Sequence, residues 1–346
     1  MRRIVMLVLV ILVCTVPVRA LDFTAPEAPE SADNLMPAEI ETFGQGLWKV
    51  IRNAVGTLQP KFAAACRTCV CLTAIILLVS MVQGISTKEN GVLNLVAALG
   101  VSGILLGTTG SMIRLAADTV TELSEYGKLL LPVMTGALAA QGGGTAAAAL
   151  YSGTVILDSI LSAAISKLLV PMCYTYLVLA VANCAIGNEL LSKLRDFLKW
   201  LMAWGLKIIL YVFTGYMGIT GVISGATDAA ALKVTKMAIS SMVPVVGGIM
   251  ADASETVLVS AGLLKNAAGV YGILALIAVW ISPFVQIGIQ YLLLKITSAL
   301  CTAFGVKQAC ELIKDFSSAM GMLLAMTGTV CLLLMISTVC FMRGVG

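Results

Sequence analysis

Residues 129–166 read LLLPVMTGALAAQGGGTAAAALYSGTVILDSILSAAIS, and across this stretch the only formal charge is Asp158. A continuous helix of that length would be roughly 57 Å long at about 1.5 Å per residue, about twice the hydrocarbon thickness of a bilayer. It therefore has to break, and Gln141-Gly142-Gly143-Gly144-Thr145 is where the glycines allow it. The reading leaves a first half too short to cross and a second half long enough. A broken or re-entrant helix exposes backbone polar groups, which is tolerated where protein or a water-filled cavity surrounds them. Asp158 fits the interior of such a bundle, where an intramembrane carboxylate usually faces, and also fits a helix end at the interface.

Working outward, the whole chain shares this character. Of 346 residues, 59% are hydrophobic and 12% charged, and the mean hydropathy is +1.00; soluble domains carry about 25% charged residues. Water is not the main solvent for such a chain. The net charge of +4 is spread over short loops, so nucleic acid is not an expected partner. Histidine is absent, which removes the usual near-neutral acid or base and the commonest metal ligand. No enzyme chemistry, cofactor or metal is expected. Most of the ten cysteines sit in apolar runs and read as small hydrophobes; Cys66-Arg-Thr-Cys69 has redox or metal spacing without a second ligand cluster.

Residues 1–20 read as a cleavable signal peptide: Arg2 and Arg3, an apolar run from Ile4 to Pro17, and Ala20 at the cleavage point. Residues 21–65 form an extracytoplasmic segment. Its first half carries Asp22, Glu27, Glu30, Asp33, Glu39 and Glu41 with no Lys or Arg, so the mature N-terminus is expected outside the cytoplasm. From about Phe43, Leu47, Val50, Ile51, Val55 and Leu58 recur at helical spacing, which suits an interfacial or a solvated helix.

Residues 66–346 form a polytopic membrane domain. Crossings are expected at Cys66 to Ile85, Gly91 to Ile113, the second half of 129–166, Val170 to Gly187, about Leu201 to Ser224, and Met320 to Met342. Between Arg114 and Lys128, Asp118, Glu122 and Glu125 take one helical face and Ala116, Val120, Leu123 and Gly127 another, the pattern of an interfacial amphipathic helix. Lys193, Arg195 and Lys199 place the helix before Leu201 on the cytoplasmic side. Met237 to Met250 is short for a crossing and reads as re-entrant, while Ala267 to Leu294 should kink at Pro283. Two glycine strips, Gly100, Gly103, Gly107, Gly110 and Gly215, Gly218, Gly221, Gly225, suggest close helix packing. The expectation is an all-α protein with about five to seven transmembrane helices, including broken or re-entrant segments and interfacial amphipathic helices.

The order Asp228, Lys233, Lys236, then Val243-Pro244-Val-Val-Gly247-Gly248, Ser254-Glu255, Leu264-Lys265-Asn266-Ala-Ala-Gly269 and Pro283 resembles the stage III sporulation protein AE family of endospore-forming bacteria. The resemblance covers roughly residues 40 to 346. It implies a subunit of a secretion-like channel complex in the mother-cell membrane around the forespore, completed by other stage III subunits and a forespore partner; membrane lipid and a second copy of the chain are further expected partners. It brings no catalytic residues. A secondary transporter is the alternative, with Gly142 and Gly247 marking its broken segments.

Overall fold

A computed structural model describes residues 25–36, 43–57, 59–85, 91–141, 144–242 and 247–343, with backbone alone over 217–242 and 247–265. The described residues are helical, with no strand among them. The elements are α1 (Glu30–Asp33), α2 (Phe43–Thr57), α3 (Gln59–Ile85), α4 (Gly91–Ala140) and α5 (Gly144–Ala164). A π-helical turn (Ile165–Leu169) then leads to α6 (Val170–Ile186), α7 (Glu189–Met242), α8 (Gly247–Thr302) and α9 (Lys307–Arg343).

Long helices are what an apolar chain must form in lipid, because every backbone N–H and C=O then finds its partner within the segment. Among the described residues, six stretches are long and apolar enough to cross a membrane: Pro60–Gly84, Leu95–Ala140, Ala147–Ile186, Glu189–Tyr216, Asn266–Thr302 and Lys307–Met342. The protein is thus a polytopic α-helical membrane protein. Several helices are longer than the sequence pattern indicates. The stretch 114–128 is not a separate interfacial element but the middle of α4, whose 50 residues continue the second crossing. At about 1.5 Å per residue, α4 is roughly 75 Å long, more than a bilayer core of about 30 Å, so part of it projects beyond the hydrocarbon.

The amphipathic pattern itself is real. Asp118 and Glu125 are exposed, whereas Ala116, Val120, Leu123 and Gly127 are buried against the bundle. Likewise the expected crossings before and after Ser166 are one helical run from Gly144 to Ile186, passing through the π turn instead of reversing. The helix expected before Leu201 and the crossing expected after it merge into α7, and α8 continues through Pro283. The break near Gln141 is present: α4 stops at Ala140 and α5 starts at Gly144.

The helices reverse where glycine permits. Gly187 (φ 71°) closes α6 with its N–H on Asn183 O, and Gly305 (φ 80°) lies in the turn between α8 and α9. A side chain bearing Cβ would be strained at either position. Near these turns Ser80 of α3 donates to Phe304 O at 2.8 Å, gathering the ends of α3, α6 and α8 with the starts of α7 and α9. At the opposite end Tyr216 of α7 lies on Gly153 of α5, and Met342 of α9 lies on Gly269 of α8.

Helix α9 is the axis of the bundle and packs on α4 through α8. The most apolar window of its span is 56% buried, against 17% for that of α7. The N-terminal segment lies along the outside. Val50 and Ala54 of α2 are buried against α8, while Trp48 and Val55 remain exposed. Residues 1–24, which include the expected signal peptide, lie outside the described residues.

Candidate functional site: polar ties inside the bundle

Among the described residues, two polar clusters lie within the helices. The first joins α6, α7 and α9. Arg195 Nη1 donates to Asp315 Oδ2 at 2.7 Å, and Tyr176 OH donates to Asp315 Oδ1 at 3.0 Å. Arg195 also donates from Nη2 to Ser192 Oγ at 3.2 Å and from Nε to Asp196 Oδ1 at 3.1 Å. Lys199 Nζ reaches Ser318 Oγ at 3.0 Å. Both oxygens of Asp315 are therefore satisfied, and a largely buried positive charge sits on a buried negative one. Such a pair is strongly destabilised when one partner is removed, because the other is left without compensation. Beside it opens a recess of about 230 Å³, lined by Asn183, Asn188, Glu189, Gln308 and Glu311 as well as the ion pair. Charges of both signs face this recess.

The second cluster lies deeper. Ser124 Oγ of α4 donates to Asp158 Oδ2 of α5 at 2.6 Å, and Thr154 and Ser337 hydroxyls meet at 3.1 Å between α5 and α9. Asp158 is 4% exposed, and its Oδ1 has no hydrogen-bond partner. Of the two positions open to it from sequence, Asp158 takes the interior one. Chemically these groups tie α4, α5 and α9 together side by side.

The other residues singled out from sequence divide in three. Gly269 is buried with a Cβ position 2.6 Å from Met342 Sδ and 3.2 Å from Met134 Cε, so α8, α9 and α4 meet there closely. Pro283 is half-buried within α8, Asn266 is exposed, and Gly144 is the exposed first residue of α5. Asp228, Lys233 and Lys236 lie in α7, and Gly247, Gly248, Glu255 and Lys265 in α8, with side chains outside the description; Pro244, Gly142 and Gly143 lie outside the described residues.

Sequence reasoning missed Asp315 and gave Arg195 only a topological role. The two are 120 positions apart, and no local pattern couples them. The available signal was an acidic residue placed within an apolar helix, the same signal that drew attention to Asp158. Cys66, Cys69 and Cys71 are free thiols, and no grouping of metal-ligating side chains occurs among the described residues.

The helical architecture and these interior ties define a multi-pass α-helical membrane protein. The sequence model of the stage III sporulation protein AE family matches residues 37–344, nearly the whole bundle, and the chain belongs to that family. A relative from Bacillus subtilis (strain 168), stage III sporulation protein AE, is 23% identical over 193 residues, 56% of this chain and 48% of that protein. The match thus spans about half the length of that curated relative. No solved structure matches the chain.

Proposed function

We propose that this protein is a non-catalytic integral subunit of a channel complex that links mother cell and forespore. It works in the mother-cell membrane around the forespore, with its mature N-terminus outside the cytoplasm, and assembles with other stage III sporulation subunits. The observation that carries this reading is the extent of the family match. Residues 37–344 take in all six candidate spans, so the sporulation identity belongs to the membrane bundle itself and not to an appended domain. The interior polar groups support a structural part, since Arg195–Asp315 and Thr154–Ser337 each join different helices.

The test is genetic. In a spore former from which the gene is deleted, engulfment should finish, late forespore transcription should fail, and the intact gene should restore heat-resistant spores. A normal spore yield from the deletion strain would contradict the proposal, and so would solute uptake by the isolated chain in vesicles.

A further inference from the structure

A second cleft lies away from both polar clusters, between α3, α4 and α8. Its volume is about 380 Å³, and Lys61, Thr68, Gly107, Ser111, Gln286 and Gln290 are among its lining residues. Among the described residues Lys61 is the only charged one in that lining, and no carboxylate among them lines the cleft. Its ammonium has three donors and gives one to Gln286 Oε1 at 2.8 Å. Gln290 is 4% exposed, yet its Nε2 has no hydrogen-bond partner. Buried donors are normally paired, and an orphan amide that lines the same cleft as a cation suits an acceptor that carries negative charge.

The cleft continues onto the glycine strip of α4. Cβ atoms built at Gly103, Gly107 and Gly110 meet nothing within 4 Å, and at Gly100 only the Ile75 side chain comes within that range, at 3.5 Å. The strip therefore brings no neighbouring backbone close. It is an open furrow, flanked by the exposed side chains of Leu99 and Leu106.

We propose that the cleft binds the phosphate headgroup of an anionic membrane lipid, held by Lys61 and the Gln290 amide, with an acyl chain lying along Gly103, Gly107 and Gly110. A lipid brings an anionic head for the cleft and an apolar tail for the furrow that continues from it, and basic recesses between membrane helices suit such headgroups. A free phosphate has the same head chemistry but leaves the furrow empty.

The experiment is native mass spectrometry of the intact protein released from bilayers containing equal amounts of phosphatidylglycerol and phosphatidylcholine, with and without added inorganic phosphate. The wild-type chain should retain phosphatidylglycerol in preference, and inorganic phosphate should not displace it. Lys61→Gln and Gly107→Leu should each lower retention roughly tenfold, the loss expected for one charge-assisted contact or a blocked furrow. Lys49→Gln, at an exposed lysine on α2, should leave retention unchanged. Gly107→Leu adds its side chain into open space, so it tests the furrow even where Lys61→Gln fails to insert. Retention unchanged in both variants would overturn the proposal. So would a wild-type chain without preference between the two lipids, displacement by phosphate alone, or a dimer that Gly107→Leu dissociates.

Discussion

The two halves of α4 use glycine in opposite ways. In its second half Gly127 is buried so closely under α9 that a Cβ there would stand 2.7 Å from Leu334 Cδ2, and a Cβ on Gly272 of α8 would stand 2.7 Å from Leu130 Cδ1. In its first half Gly103, Gly107 and Gly110 have open space where a side chain would be. Small residues let helices approach, yet they do so only where a partner helix arrives. The second half is therefore a lock between α4, α8 and α9, and the first is a surface.

The largest effect is expected away from the lock, at the ion pair that joins α7 to the first turns of α9. Asp315→Ala leaves the Arg195 guanidinium largely buried and without its closest anion, which should cost about 3–5 kcal/mol and appear as a large drop in the detergent melting temperature. A drop no larger than that of an exposed pair such as Lys193–Glu189 would break the account. Next, Gly127→Leu should cost about 1–3 kcal/mol by overpacking, whereas Gly103→Leu should leave stability unchanged or slightly raised. Equal losses in the two variants would mean that the first half is packed too. The smallest effect is expected at Thr154→Val, which removes the hydroxyl pair with Ser337; membrane hydrogen bonds of this kind average about 0.6 kcal/mol.

These contrasts mark how far the sequence could be read. The positions of the spans were legible because an apolar run is a local property, and hydrocarbon thickness sets how long it has to be. Where a helix ends is less local. The charges Asp118, Glu122 and Glu125 interrupt the hydropathy of α4 and suggest a separate element, but the opposite face of the same turns packs on the bundle and carries the helix through. The π turn at Ile165–Leu169 likewise continues a run that hydropathy divides. Glycine spacing revealed both strips without telling a lock from a furrow, because that depends on the helix opposite. Asp158 could be singled out as a lone carboxylate in an apolar run, whereas its tie to Ser124 needed the antiparallel register of α4 and α5. The Arg195–Asp315 pair needed the register of α7 and α9 in the same way.

The lock between α4 and α8 is tested most directly by cross-linking. In a variant lacking the native cysteines, Leu130→Cys and Gly272→Cys are introduced together and oxidised in the intact membrane, beside a control pairing Gly107→Cys with Gly272→Cys. An intramolecular disulfide is expected at high yield for the first pair and none for the second. Failure of Leu130→Cys with Gly272→Cys to cross-link in membranes that hold the inserted chain would contradict the lock.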